Sequence, residues 1–388
     1  MKEKIIRKLD DIAQEIRIHI ESPLPPGLFS GTAGVCLFLF LYSLWKKSEL
    51  YYQFAYSTLS KTLDNISDSA NHTFCSGVSG ICWLIDYLCD NKIIESYNRR
   101  IVVELLPFIR KKLLQSAEIG DFDFLHGAIG SAMYLLNRSP HKGMHIHNQI
   151  IDSLEKHIIS TSTGGYWEYY WNELRNSKHV NISIAHGMAS TCIYLVNLIN
   201  SFKLPNARNL LEKAIQYIIK QEYLTNSLSS YPTFSQDYDL EKGIANSRLG
   251  WCYGDIGIAL LYWNCYKMCF GEKYKEMAIK LFAKISDRKT LLENGIIDAG
   301  ICHGTSGLGL VFYKMFLNTG NLKFKETSSF WLSETMKFSI YQDGYAGYKA
   351  NGQYASINFL EGISGIGLYL LSQVNPRFLG WERVLLIN

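Results

Sequence analysis

A short glycine motif that returns seven times constrains this chain more than any other feature of its sequence. Each copy reads G-x-x-G, or in one case G-x-x-S, and a strongly apolar run follows it. Consecutive first glycines lie 46 to 67 residues apart, which is room for two helices and two loops. We therefore predict a helical hairpin as the repeating unit. The first glycines are Gly31, Gly77, Gly127, Gly187, Gly254, Gly304 and Gly362.

The segments of each repeat differ in how their apolar residues are distributed. The run after each motif is apolar on most faces, which indicates a helix buried all round, whereas intervening segments such as RRIVVELLPFIRKKLLQS from Arg99 are amphipathic. The first and last copies are as apolar as the middle ones, although an open solenoid usually has atypical end repeats. We therefore predict an all-α fold, an α/α toroid with seven inner and seven outer helices. An open α-solenoid is the alternative. We expect a single domain over 1–388, with a loop insertion around 222–247.

Composition and charge exclude several classes of protein. The net charge of +4 is not gathered into a basic run, so nucleic-acid binding has no support. Apolar runs stop well short of the ~20 residues of a membrane-spanning helix, and the N-terminus lacks a signal peptide, so we expect a cytoplasmic protein. The nine cysteines are an odd number, and in a reducing compartment they favour free thiols or metal ligands over disulfides.

Polar side chains recur immediately before the motifs, where equivalent repeats would share one rim. Taken singly, a cysteine or histidine is usually structural. However, Cys252, Cys302 and His303 come from consecutive repeats, and two thiolates with one imidazole suit zinc. Three ligands leave a fourth position open, as in catalytic sites, and the alternative is a closed structural site completed by His186 or Cys75. The other residues at these positions are His126, Tyr253 and Glu361.

The ligand set also bears on the type of chemistry. Two protein thiolates already neutralise the zinc dication, so the metal is a weaker electrophile toward water. An incoming thiol would stay electron-rich at such a centre. The sequence therefore favours activation of a substrate thiol over hydrolysis.

Four motifs resemble those of the lanthionine synthetase C-like family. They are SRLGWCYGDIG from Ser247, GICHGTSG from Gly300, IAHGMAS from Ile184 and DFLHGAIG from Asp123. With the sevenfold repeat, the resemblance covers essentially the whole chain. It implies an α/α toroid that holds one Zn²⁺ through Cys252, Cys302 and His303. It also implies a cyclase that adds peptide cysteine thiols to dehydroalanine or dehydrobutyrine and closes thioether rings.

The resemblance implies four catalytic residues in this chain: Asp123, His186, Arg248 and Tyr253. We expect His186 to be the general acid–base, because its ordinary pKa lies near working pH, and Arg248 to stabilise negative charge. Asp123 would orient a neighbouring His or Arg. The structural alternatives are an ion pair of Arg248 with Asp123 and a packing role for Tyr253. Ser190 departs from the motif, His126 is an extra rim histidine, and Asp255 is expected to cap its helix.

The leading interpretation is thus a stand-alone lanthipeptide cyclase that acts on a dehydrated precursor peptide. Its further partners would be a dehydratase and a peptide exporter, in a complex held at the inner membrane. One alternative keeps the zinc chemistry and adds a glutathione-type thiol to dehydrated residues. The other is a non-catalytic, zinc-stabilised scaffold that binds a peptide.

Overall fold

The structure, a computed structural model, describes residues 1–21, 24–66, 70–138, 143–170, 177–224, 227–235 and 246–388. These residues are mostly helical, so the prediction of an all-α fold is confirmed. The fourteen α-helices among them are α1 (Lys2–His19), α2 (Thr32–Lys46), α3 (Glu49–Asp64), α4 (Val78–Asp90), α5 (Arg99–Glu118), α6 (Ala128–Arg138), α7 (Met144–His157), α8 (Met188–Phe202), α9 (Pro205–Lys220), α10 (Asp255–Lys267), α11 (Glu272–Ile285), α12 (Thr305–Thr319), α13 (Leu322–Lys337) and α14 (Ile363–Val374).

Every even-numbered helix begins directly after the first glycine of a motif. These helices are buried on most faces; in α2, every residue from Ala33 to Ser43 is buried. The odd-numbered helices bury one face, as α9 does through positions spaced three and four apart. Seven buried helices and seven half-buried ones therefore alternate along the described chain, as the sequence predicts.

The same backbone hydrogen bond recurs at the start of most of the buried helices. The N–H of the first helical residue donates to the carbonyl seven residues earlier, which satisfies a donor that a helix start otherwise leaves unpaired. The loop before each motif therefore folds back on its own helix in the same way. The bonds are Thr32 to Pro25, Val78 to Asn71, Ala128 to Asp121, Met188 to Asn181, Thr305 to Asp298 and Ile363 to Ser356, at 2.8 to 3.2 Å.

The glycines are required by close approach of this loop. A Cβ atom on Gly307 would lie 1.9 Å from the carbonyl oxygen of Ile301, and no backbone can accommodate that overlap. Gly254 is different, because its φ of +72° is one that residues with a side chain rarely adopt. Ser190 is accommodated, since its hydroxyl donates to the Gly187 carbonyl at 3.0 Å.

The described residues form two compact units, one of 1–106 with 296–387 and one of 107–295 with Asn388. In the first unit, α14 packs against α1 and α2. The N–H of Leu360 donates to the carbonyl of Phe29 at 2.9 Å, so the rim loops of the last and first repeats are bonded directly. The two ends of the chain therefore contact each other within the first unit.

The segment between α7 and α8 contains two short hairpins that the sequence pattern did not predict. Strand β1 (Ile159–Thr161) pairs antiparallel with β2 (Gly164–Tyr166), and β3 (Tyr169–Tyr170) with β4 (Lys178–His179). The indole N–H of Trp167, between the hairpins, donates to the Leu154 carbonyl of α7 at 2.9 Å. The hairpins are thus anchored on an outer helix of the second unit.

The expected loop insertion at 222–247 is described only in part, since 225–226 and 236–245 lie outside the described residues. Part of it is packed rather than solvated, since Ser229, Ser230, Tyr231 and Ser235 are all buried, whereas Leu224 is exposed. The Tyr231 hydroxyl lies 3.0 Å from that of Tyr262 on α10. Separately, no helix among the described residues is long and apolar enough to cross a membrane.

Candidate metal and acid–base site

The rim loop before α12 presents Cys302 and His303 in adjacent positions. Both side chains are buried, with 8% of Cys302 and 6% of His303 exposed. The Cys302 N–H donates to the Leu360 carbonyl at 2.9 Å, which ties this loop to that of the next repeat. The backbone that carries two of the predicted zinc ligands is therefore fixed.

One ring nitrogen of His303 is held by two oxygen atoms. Its Nε2 lies 2.8 Å from Oδ1 of Asn351 and 3.3 Å from Oδ2 of Asp298. An ionised carboxylate can only accept hydrogen bonds, so Nε2 carries the proton. The lone pair of the neutral ring is therefore on Nδ1, as a metal ligand requires.

Asp298 is itself fixed by backbone donors. Its Oδ1 accepts the Gly300 N–H at 2.9 Å, and its Oδ2 accepts the Asn351 N–H at 2.8 Å. Burial alone would raise the pKa of this carboxyl. The bond and charge of His303, with the two N–H groups, outweigh burial and hold the pKa of Asp298 below its ordinary value.

Cys252 is the third predicted ligand and is 2% exposed. Its carbonyl accepts the Ala185 N–H at 3.3 Å, which joins the rim loops of two neighbouring repeats. Among the described residues, Cys252, Cys302 and His303 form a group that could hold a metal ion, with ligand atoms within 4.8 Å of one another. Neither His186 nor Cys75 is a member of this group.

Asp123 and His186 form a close pair on neighbouring rim loops. Asp123 Oδ2 lies 2.7 Å from Nδ1 of His186, and Asp123 Oδ1 accepts the backbone N–H of Leu125 and of His126. Burial opposes ionisation of Asp123, but the two histidines and the N–H bonds lower its pKa overall. Burial would also lower the pKa of His186, yet the Asp123 carboxylate and the Cys252 thiolate raise it. The pair thus favours a protonated imidazole.

Two more rim side chains lie against His186. The ring of His126 stacks on it, with centroids 5.7 Å apart, and the ring of Tyr253 lies 6.0 Å away on the other neighbouring repeat. The three occupy the same repeat position, directly before a motif glycine. About 26% of the His186 side chain is exposed, so a ligand can reach it.

Arg248 is the one predicted catalytic residue that the structure does not join to the others. Its side chain is half-buried and forms no hydrogen bond or ion pair with any described residue. The predicted structural pair with Asp123 is not formed, since His186 is the partner of that carboxylate. The backbone around Arg248 is nevertheless fixed, because the next residue, Leu249, donates to the Asn294 carbonyl at 2.9 Å.

Asp255 does not cap its helix, contrary to the expectation. It is the first residue of α10, it is fully buried, and its carboxylate accepts the N–H groups of Ser230 and Tyr231. It also pairs with Arg288 at 2.9 Å. The other arm of Arg288 donates to the Ser247 carbonyl at 3.0 Å. This buried pair therefore binds the 222–247 segment at two places, at Ser230 and Tyr231 and again at Ser247. Ser247 immediately precedes Arg248.

Sequence reasoning missed Asp298, Asn351 and Arg288. A signal existed for Asp298, because it stands six residues before a motif glycine, where Asn71, Asp121 and Asn181 also stand. Asn351 belongs to an Asn-Gly pair, which indicates a tight turn but not what the asparagine contacts. Arg288 carried no signal, since a single arginine after an amphipathic helix is usually solvated.

Comparison with known proteins places the fold and the motifs in one family. The chain is 26% identical to Nisin biosynthesis protein NisC of Lactococcus lactis subsp. lactis over 370 residues, covering 88% of this chain and 82% of that protein. It superposes on a solved structure of nisin cyclase with a TM-score of 0.76 at 21% identity, over 99% of this chain and 97% of that one. The predicted α/α toroid is thereby confirmed. The family model for lanthionine synthetase C-like proteins matches residues 22–386, and the chain belongs to that family.

Proposed function

We propose that this chain is a zinc-dependent lanthipeptide cyclase. Its substrate would be a dehydrated precursor peptide, whose cysteine thiols add to dehydroalanine or dehydrobutyrine and close (methyl)lanthionine rings. The observation that carries this proposal is the buried group of Cys252, Cys302 and His303, together with the Asp123–His186 pair on the loops before α6 and α8. Family membership and the likeness to NisC support it.

The donor set fits zinc on its own chemistry. Two thiolates and one imidazole are ligands that zinc prefers, and three protein ligands leave the fourth tetrahedral position for a substrate. Zinc bound there would lower the pKa of a cysteine thiol in that position, so that its sulfur is a better nucleophile. His303 already has the tautomer that this requires.

The reaction needs a proton donor at the α-carbon. As the thiol sulfur bonds to the β-carbon, the double-bond electrons move toward the α-carbon and the adjacent carbonyl. The thiol proton leaves and one proton is delivered to the α-carbon, so the addition balances without an oxidant. Asp123 accepts from Nδ1 of His186, which leaves Nε2 of that ring to deliver the proton.

Arg248 and Tyr253 complete the proposed machinery. The negative charge that develops on the carbonyl oxygen needs a fixed donor, and a guanidinium that forms no ion pair among the described residues can supply it. Tyr253 lies beside His186 and would position the dehydro residue against that ring. Its neighbour in sequence is the proposed ligand Cys252.

The test mixes the purified chain with a chemically dehydrated precursor peptide and counts free thiols over time. We expect thiols to disappear faster than without the chain, because ring closure consumes one thiol per ring. Thiols that persist at the uncatalysed rate would refute the cyclase assignment. Cys302→Ala should lose zinc and activity together, whereas His186→Ala should keep zinc and lose ring closure.

The same assay separates the remaining interpretations. Faster consumption of glutathione than of peptide thiols would favour the glutathione-type reaction, and peptide binding without thiol loss would favour a scaffold. We further propose a cytoplasmic location, at the inner membrane through a dehydratase and an exporter. Co-purification of this chain with those partners from membranes tests that assembly.

A further inference from the structure

His303 is held by residues outside the proposed ligand set. Its Nε2 contacts two oxygens from different segments, Oδ1 of Asn351 at 2.8 Å and Oδ2 of Asp298 at 3.3 Å. All three side chains belong to the same compact unit. Two acceptors that converge on one ring nitrogen fix the orientation of the ring, as the outer partners of metal-bound histidines do.

The identity of the acceptors fixes the tautomer. An amide can be turned so that its nitrogen faces the ring, but a carboxylate has no such alternative. The Asp298 carboxylate cannot turn, because Gly300 and Asn351 donate their N–H groups to its two oxygens. The proton on His303 is therefore held at Nε2 whichever way the amide faces.

Asn351 reaches the ring from a tight turn 48 residues further along the chain. Residues Asn351 and Gly352 have φ of +52° and +65°, and the Gln353 N–H donates to the Ala350 carbonyl at 3.0 Å. This is a type I′ turn, for which Asn-Gly is the preferred pair. The turn thus serves a purpose beyond reversing the chain, since it places both the amide oxygen and the backbone N–H of Asn351.

We propose that Asp298 and Asn351 are positioning residues that hold His303 as the Nε2–H tautomer and aim Nδ1 at the zinc. This inference rests on the proposed zinc site, but not on the identity of the substrate. Outer partners of metal-bound histidines typically change metal affinity by about 10- to 100-fold when removed. The same loss is expected here for either residue.

The test measures the zinc dissociation constant by competition with a chromogenic chelator, without any peptide. Asn351→Gly removes the amide and keeps the left-handed backbone without strain, and Asp298→Asn removes the charge at constant size. Both should weaken zinc binding by about 10- to 100-fold. Asn351→Asp keeps an acceptor oxygen and should restore affinity close to that of the parent chain.

A matched control is Asn181→Ala, because Asn181 stands at the repeat position of Asp298 and accepts the Ser183 N–H at 2.8 Å, without contact to a proposed ligand. It should bind zinc like the parent. Folded Asn351→Gly and Asp298→Asn chains with parental affinity would overturn the proposal, as would equal losses in Asn351→Gly and Asn351→Asp. A parent chain that binds no zinc would also overturn the proposal. The count of free thiols then decides separately whether the chain is a cyclase.

Discussion

The buried pair of Asp255 and Arg288 provides the sharpest prediction of stability. The side chain of Asp255 is 0% exposed and that of Arg288 is 4% exposed. The guanidinium of Arg288 donates hydrogen bonds to the Asp255 carboxylate, to the side-chain oxygen of Asn294 and to the Ser247 carbonyl. Arg288→Met keeps the length of the side chain and removes the charge and every donor. The buried Asp255 carboxylate then keeps the N–H groups of Ser230 and Tyr231 as donors, and the remaining ammonium of Lys284 donates to Oγ of Ser230.

The expected loss follows from what remains unpaired. Removing one partner of a buried ion pair costs about 3–5 kcal/mol, because the other charge stays desolvated without its counter-ion. The carbonyl of Ser247 and the amide oxygen of Asn294 also lose a donor, which places Arg288→Met toward the upper end of that range. Since domains are stable by only about 5–15 kcal/mol, a large share of the stability would disappear.

The assay is urea unfolding followed by tryptophan fluorescence, with a double-mutant cycle. Asp255→Asn alone should also destabilise strongly, whereas the double variant with Arg288→Met should cost less than the two single losses added together, because no lone charge remains. Lys61→Met is the control, since its pair with Glu21 is exposed and worth about 0–1 kcal/mol. Single losses below about 1 kcal/mol that simply add would refute the argument.

Two further perturbations test the acid–base pair and the helix entry. Asp123→Asn removes the charge that raises the pKa of His186. The rate of ring closure, which falls as His186 loses its proton with rising pH, should therefore begin to fall at a lower pH. A pH–rate profile that does not shift would contradict the role of Asp123. Gly254→Ala should lower the temperature of thermal unfolding more than Gly271→Ala. Both glycines have positive φ, but the new Cβ at Gly254 would lie 2.1 Å from Oγ of Ser247, whereas that at Gly271 would meet no atom. Equal losses of stability would show that the overlap is relieved without cost.

The repeat could be predicted from the sequence because its cause is local. Gly304 and Gly307 flank a helix start where the loop must lie against the helix, so glycines and an apolar run recur wherever the chain builds that entry. The even-numbered helices accordingly begin where the motifs predict. The hairpins between α7 and α8 could not be predicted in this way, since their strands have only two or three residues and no alternation to detect.

The proposed ligands could be predicted for a related reason. Cys252, Cys302 and His303 stand at fixed offsets from motif glycines, so their common rim follows once the repeats are equivalent. Asp255 also stands at a fixed offset, directly after a motif glycine, yet its role was predicted wrongly. Its partner Arg288 lies outside the repeat pattern, and a buried carboxylate is defined by its partner more than by its position.

The same distinction explains why the positioning residues are harder to predict than the proposed ligands. A ligand must stand at one place on the rim, whereas the residue that orients it can come from any segment that reaches the ring. Asp298 comes from the same loop as His303, and Asn351 comes from the turn between α13 and α14. Only the folded chain shows that both meet at Nε2. A search for such sites from sequence should therefore look for acceptor residues in tight turns before the next repeat motif, as well as for ligands beside the glycines.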